Sequence, residues 1–351
     1  MKSGSTRKRS CLKEDKRINN LKGDGHMFDR RRLEELEIIS KAAGDFPGYV
    51  QGGGGNTSVK LDEELMAVKA SGFKLKQITS REGFVVVNYK NIKEYFGKVY
   101  PAADVDYEQD FIKYTMDNVI ELEGIARLRP SVEAGFHSIL KRYVIHTHPV
   151  YANIICCSKQ GKQLAGDIFP GNEWDWVWIS YVNPGFYLMV KIKEAIEAYK
   201  EEKGRVPDIF FMENHGLIVT SDCRDSCIEL HHAVNNRISE YLGIDEEHPR
   251  IVIDKKDDYY VSGTRYLNDF FKGRDIKEDF FENNVLYPDQ LVYLNDSISF
   301  TGRYNKPGTG GENKLIIDTN TGELVYTTSL QEAQTIEETL LAYIYVINKI
   351  K

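Results

Sequence analysis

Four side chains carry most of the chemistry legible in this 351-residue chain: Glu133, His146, His148 and His215. His146 and His148 stand at i and i+2 in Tyr143-Val144-Ile145-His146-Thr147-His148, a run that reads as a strand stopped by Pro149. Side chains alternate along a strand, so both imidazoles share a face, about 6.5–7 Å apart at the backbone. Two histidines at that separation can converge on one ion through metal–nitrogen bonds of about 2.0–2.1 Å. His215, at a strand end beside Gly216, offers a third imidazole. Three neutral imidazoles with an open position describe a catalytic zinc site. Glu133, at the start of a helix, reads as a fourth ligand or as a base. Taken singly, each residue also has a structural reading: a hydrogen-bonded core histidine, or a glutamate that favours its helix N-terminus. His137 follows Glu133 by four residues on the same helical face and supports either the site or the core. His26, His231, His232 and His248 have no supporting context, and Cys223 and Cys227 read as packing residues.

These residues need elements to position them. Leu33, Leu36, Ile39 and Ala43 recur at helical spacing over 28–43, with Gly44 and Pro47 to end the helix. Strands are predicted near 57–61, 65–70 and 85–87. Helices are predicted over 107–123 and 131–141, the second capped by Ser131 after Pro130. Residues 173–182 alternate as a strand with Trp174, Trp176 and Trp178 on one face, a stripe that reads as core or subunit interface. Further helices are expected over 186–202 and 223–242, with strands at 209–212 and 217–219 around Glu213-Asn214-His215-Gly216. The Gly52–Gly55 run is followed by a hairpin, so it is neither a Walker A loop nor a dinucleotide fingerprint. Its amides could nest an anion, or it is a flexible turn; on this segment alone the two readings stand equal.

A charged run at 254–258 marks a soft boundary. Beyond it a hairpin is expected around Asn320-Thr321-Gly322, and a last helix from Ser329 with Glu332 as its capping box. That helix carries an apolar stripe, so residues 251–351 are expected to pack on the preceding domain. They contain no histidine and are expected to carry no catalytic side chain. At the other end, residues 1–26 hold eight lysines and arginines against three acids and few apolar residues, and read as a disordered basic tail. Met27 is a candidate start.

The rest of the chain is acidic; the whole carries a net charge of −7 with 41% hydrophobic residues. No other basic patch with interleaved aromatics appears, which excludes a nucleic-acid partner from this reading. No apolar run approaches the roughly 20 residues that span a bilayer, so no membrane partner is expected. Five cysteines without a C-x-x-C pair point to a reduced, cytoplasmic compartment.

Five segments together resemble the class II aldolase/adducin family: Gly55-Asn56-Thr57-Ser58-Val59, Ala70-Ser71-Gly72, Pro130-Ser131-Val132-Glu133, His146-Thr147-His148-Pro149 and Asn214-His215-Gly216. Their order and spacing fit across about residues 28–242. The resemblance implies an α/β fold: a three-layer α/β/α sandwich around a mostly antiparallel sheet, here with a C-terminal α+β extension. It implies a homotetramer with sites between subunits and a small sugar phosphate as substrate. Similarity to fuculose- and rhamnulose-phosphate aldolases implies zinc on His146, His148, His215 and Glu133. It implies Glu133 as the base, Asn56, Ser71, Gly72 and Ser131 as anion-binding elements, and Tyr181 as a proton donor to the aldehyde. The implied activity is that of a zinc-dependent carbon–carbon lyase (an aldehyde-lyase) of carbohydrate metabolism. In the implied mechanism a carbonyl and its neighbouring hydroxyl are polarised by a Lewis acid, and Glu133 moves the proton at the nucleophilic carbon. Val132 replaces a second serine often found in the smaller enzymes. The run 286–293 and the last helix resemble the aldolase part of bifunctional rhamnulose-phosphate aldolase/dehydrogenase proteins. Epimerases, dehydratases and decarboxylases share the family's metal site, and adducin-like members are non-catalytic interaction proteins. Glu133, where epimerase-like sequences carry aspartate, favours aldol chemistry.

Overall fold

The strands of the first two-thirds of the chain are apolar on both faces, and a sheet of that kind must be covered twice. The structure, a computed structural model, describes residues 20–23, 26–98, 105–171, 173–276, 280–294, 298–301 and 314–350. Strands β1 (Asn20–Gly23) and β2 (His26–Asp29) form an antiparallel pair of their own. Helix α1 (Arg31–Gly44), β3 (Asn56–Lys60), β4 (Leu65–Lys69), β5 (Phe84–Asn88), α2 (Tyr89–Lys98), α3 (Tyr107–Asp117) and β6 (Val119–Ile120) follow. Next come α4 (Ala134–Ile139), β7 (Tyr143–Thr147), α5 (Val150–Cys156), α6 (Gly161–Ile168), β8 (Trp176–Ile179), α7 (Phe186–Lys203), β9 (Ile209–Met212), β10 (Gly216–Ser221) and α8 (Arg224–Tyr241).

Strands β3 to β10 make one eight-stranded sheet in the order β6-β5-β4-β3-β7-β10-β9-β8, antiparallel except for the β8–β9 pair. One face carries Val59, Ala67, Val86, Ile145 and Val219 under α1, α5, α6 and α8. Their neighbours Val68, Val85, Val144 and Ile218 face α2, α3, α4 and α7. This is the expected three-layer sandwich.

The C-terminal part contains β11 (Ile253–Lys255), β12 (Tyr260–Ser262), α9 (Arg265–Phe271), α10 (Pro288–Tyr293), β13 (Ile298–Thr301), β14 (Leu315–Asp318), β15 (Glu323–Tyr326) and α11 (Leu330–Ile347). Its strands form a second, mixed sheet in the order β11-β12-β15-β14-β13. The core under it includes Leu340, Tyr343 and Ile344 of α11 together with Val150 and Ile154 of α5. The apolar stripe of the last helix is thus buried against the sandwich. Ser329 Oγ accepts from Glu332 N–H as the capping signal requires, but the Glu332 carboxylate turns to Lys314 and Thr328.

Several expectations shift. The helix expected over 107–123 ends at Asp117, because Val119 and Ile120 pair with β5 as an edge strand. The helix expected from 131 begins at Ala134, and Ser131 Oγ accepts from Glu133 N–H at 3.2 Å, before the helix begins. The tryptophan strand is shorter than expected, and all three indoles pack against the first of the two cores. Of the basic tail, residues 1–19 lie outside the described residues, while β1 is a paired strand inside the range expected to be unstructured. Among the described residues no helix is long and apolar enough to cross a membrane.

Candidate metal centre

Alternation on β7 decides which way its histidines point. Val144 and His146 face the α4 side, where Glu133 stands, while Thr147 faces α8 and meets His231 Nε2 at 2.6 Å. His148 lies one residue past the strand, and His215 sits in the tight turn between β9 and β10. Asn214 takes a left-handed conformation there (φ 50°), one that asparagine tolerates better than most residues. A Cβ on Gly216 would lie 2.5 Å from Thr147 O and 2.9 Å from His148 Cδ2, so glycine is what lets the turn close on β7.

Ligating atoms of His146, His148 and His215 all lie within 4.8 Å of one another, and all three residues are buried. His146 Nδ1–H donates to Leu217 O at 3.0 Å. His148 Nδ1 meets Asp289 Oδ2 at 2.6 Å. Those partners can only accept, so in the neutral rings that bind a metal both Nε2 atoms have lone pairs to offer. They stand 3.2 Å apart. Two ligands of a tetrahedral ion with bonds of about 2.0–2.1 Å stand about 3.3–3.4 Å apart. Neither ring nitrogen of buried His215 makes a hydrogen bond, although its Nε2 is 3.1 Å from Glu133 Oε1. Orphaned, convergent imidazole nitrogens in a buried pocket fit a divalent metal.

Glu133 completes the group. Its Oε2 accepts from Asn56 Nδ2 at 2.6 Å and lies 3.5 Å from His146 Nε2. Burial pushes its carboxyl up, but the imidazoles of His146 and His215 outweigh this and hold it well below the usual carboxylate range. Burial brings His215 down to about 4, against the pull of Glu133. His148 moves the other way: burial lowers it, and Asp289 more than compensates. His137, by contrast, meets Ser58 Oγ at 2.7 Å and stacks on Phe136.

The expected anion-binding residues gather at the same end of the sheet. Asn56 is paired with His146 across β3 and β7. An isolated antiparallel bridge between Ala70 and Pro130, with Ser71 N–H donating to Arg129 O at 2.8 Å, holds the segments that carry Ser71 and Ser131 together. Ser71 and Gly72 are exposed, and a Cβ on Gly72 would meet nothing within 4 Å. Tyr181 is not brought in. It is exposed, and its hydroxyl donates to Asn183 Oδ1 at 2.9 Å.

The glycine run docks on the C-terminal extension. Gly52 N–H donates to Glu338 Oε2 at 3.0 Å, and Gly53 N–H to Tyr293 Oη at 3.1 Å. A Cβ on Gly54 would lie 2.8 Å from Asp289 Oδ2. The loop therefore donates to Glu338 and Tyr293 of the C-terminal extension and leaves room for the carboxylate of Asp289. The extension, expected to pack on the preceding domain without a catalytic side chain, also sets Asp289 against His148. Lys69 was also missed. It is 2% exposed, donates to Gly53 O at 3.1 Å, and is lowered to about 8 by burial against the attraction of Glu133 and Asp289. A lysine ending β4 directly before Ala70-Ser71-Gly72 was the available signal; for Asp289 there was none beyond a helix-start acid. A cavity of about 420 Å³ lies between the glycine loop and the extension, lined by Lys74, Lys76, Arg250 and Glu338, and the three histidines do not border it.

Comparison with known proteins gives the fold and the family. A curated relative, the uncharacterized oxidoreductase YuxG of Bacillus subtilis (strain 168), is 29% identical over 235 residues, 62% of this chain. The match spans only 31% of that relative's length. The N-terminal class II aldolase domain of a conserved protein from Thermoplasma acidophilum shares the fold, with a TM-score of 0.50 and 24% identity over 68% of this chain and 100% of that one. The L-fuculose-1-phosphate aldolase of Thermus thermophilus aligns with a TM-score of 0.39 and 13% identity, over 61% of this chain and 95% of that one. A family match over residues 39–242 spans more than half of the sequence and every residue of the cluster except Asp289; the chain belongs to the class II aldolase and adducin N-terminal domain family.

Proposed function

We propose that this chain is a zinc-dependent aldolase that reversibly cleaves a small phosphorylated ketose. The observation that carries the reading is the buried trio of His146, His148 and His215 with the Glu133 carboxyl group facing two of them. A divalent ion on these imidazoles supplies Lewis-acid polarisation of a carbonyl oxygen. A scaffold protein has no use for such a set. Glu133 is a fourth donor in the resting site and the base that moves the proton at the carbon beside the carbonyl. Asn56 orients it by holding Oε2 and leaving Oε1 toward His215. Burial keeps bulk water from competing for that proton.

For the substrate anion we assign Asn56, Ser71, Gly72 and Ser131. The paired segments offer the exposed hydroxyl of Ser71 and the half-buried one of Ser131, with open space at Gly72. With Val132 in place of a second serine, the anion has one fewer hydroxyl to bind. Tyr181 is assigned the proton exchange with the aldehyde oxygen. It is exposed in the single chain, and we assign completion of the site to a second copy in a homotetramer. The proposed setting is the cytoplasm, with no nucleic-acid or membrane partner.

The test is metal analysis followed by a screen of ketose phosphates and tetronate phosphates. About one zinc per chain and retro-aldol cleavage of a ketose phosphate are expected. Epimerisation, dehydration or decarboxylation without cleavage would replace the aldolase assignment, and protein that takes up no metal on titration would end it. Glu133→Gln removes the charge at constant size. Zinc binding should survive on the three histidines while turnover falls about 10²–10⁴-fold. Near-normal turnover in this variant would remove Glu133 from catalysis.

A further inference from the structure

We infer that the metal centre is a joint product of the sandwich and the C-terminal extension, with Asp289 of α10 as the positioning residue for His148. The inference rests on the metal reading of the trio and concerns a residue outside the family match, which ends at 242.

Asp289 is 4% exposed, and a carboxylate is rarely buried without a purpose that compensates its lost hydration. Its Oδ2 accepts from His148 Nδ1 at 2.6 Å, which is short and charge-assisted. That bond sets the tautomer, directs Nε2 toward His146 Nε2 at 3.2 Å, and makes Nε2 a stronger donor to a cation. Of the other two ligands, His146 Nδ1 has only the neutral carbonyl of Leu217, and His215 Nδ1 has no partner. Asp289 is therefore the one carboxylate among the described residues that orients a histidine of the trio through its far nitrogen.

The neighbourhood is built to hold that carboxylate in place. Gly54 leaves room for it, since a Cβ there would be 2.8 Å from Oδ2 and 2.9 Å from Oδ1. Tyr293, one turn along α10, accepts from Gly53 N–H, and Glu338 of α11 accepts from Gly52 N–H. Asn214 Nδ2, beside His215, donates to Leu286 O just before α10 at 2.8 Å. The loop before β3 and the turn before β10 are thus both tied to the extension on either side of the metal site.

The experiment is zinc titration of the full chain by competition with a chromophoric chelator, with the melting temperature of the metal-free protein recorded alongside. Asp289→Ala should bind zinc about 10–100-fold more weakly. Asp289→Asn keeps an acceptor without the charge and should fall between it and the wild type; being isosteric, it carries the test if the alanine variant does not fold. Tyr293→Phe removes a bond of the same helix without touching His148 and should bind zinc within about twofold of wild type. Wild-type affinity in both Asp289 variants would overturn the inference. An equal loss in Tyr293→Phe would also overturn it, by assigning the effect to helix docking. Wild-type protein that binds no zinc would instead sink the metal reading beneath it.

Discussion

At the scale of single residues, this protein contains two kinds of buried histidine. His146, His148 and His215 converge on one another, whereas His137 and His231 each meet a hydroxyl, on Ser58 and Thr147. His231 is the cleaner reporter of the second kind. Burial, with a smaller contribution from His232 and His146, lowers it to about 3 from an ordinary value near 6.5. Between those values the unfolded chain binds the proton and the folded chain does not. Stability is therefore full above about pH 6.5 and is lost as the pH falls through that window, by about 2 kcal/mol at pH 5 for this group alone. His231→Gln keeps a donor for Thr147 and removes the titration. Its melting temperature should fall less steeply between pH 6.5 and 4.5 than that of the wild type; superimposable profiles would show that His231 does not drive the acid limb.

At the scale of elements, the site is made where strands end. β3 begins at Asn56, β4 ends before Ser71, β7 ends at Thr147 between His146 and His148, and β10 begins after His215. Because these strands are antiparallel neighbours, starts and ends meet at one edge of the sheet. The closeness has a structural cost, carried at Gly216. Gly216→Ala would drive a methyl into Thr147 O, a backbone atom that cannot swing aside. We expect a loss of about 1–3 kcal/mol, as for other overpacked sites, together with weaker zinc binding, because His148 borders the same space. Chemical denaturation and zinc titration measure the two effects. A variant as stable as the wild type would show that the β9–β10 turn has room the geometry does not provide.

At the scale of the whole molecule, the two sheets are not independent. Val150 and Ile154 of α5 belong to the extension's core, and Glu338 bridges Lys74 and the glycine loop. A chain ending at residue 250 should expose that apolar face of α5 and either aggregate or bind zinc weakly. The opposite end should behave differently. Among the described residues β1 pairs with β2 alone and joins neither large sheet, so a chain beginning at Met27 should melt within a few degrees of the full-length protein. An isolated strand pair contributes little. Size-exclusion profiles and melting curves of the two shortened chains separate these outcomes, and a large drop on removing residues 1–26 would make the tail structural.

Much of this was local information, and local information is what a sequence carries. The i, i+2 spacing of His146 and His148, the helix signals around Glu133, and the Asn214-His215-Gly216 turn each follow from periodicity or backbone preference over a few residues. So do the apolar runs that demand a sheet covered on both faces. Boundaries were less legible. The helix after Tyr107 stops early because an edge strand pairs with β5, a long-range event with no local mark. What only the tertiary structure decided is which distant residues face the site. Asp289 lies 141 residues from His148 in sequence, and nothing within α10 signals that its first-turn acid will be buried against an imidazole. Likewise a glycine run is compatible with an anion, a turn or a close neighbour, and only the docking of α10 and α11 shows that it receives Asp289, Tyr293 and Glu338. Tyr181 shows the same limit from the other side: its motif reads clearly, yet the fold of one chain leaves it exposed, because a side chain at the outer edge of a sheet reaches a reaction centre only through what packs against that edge.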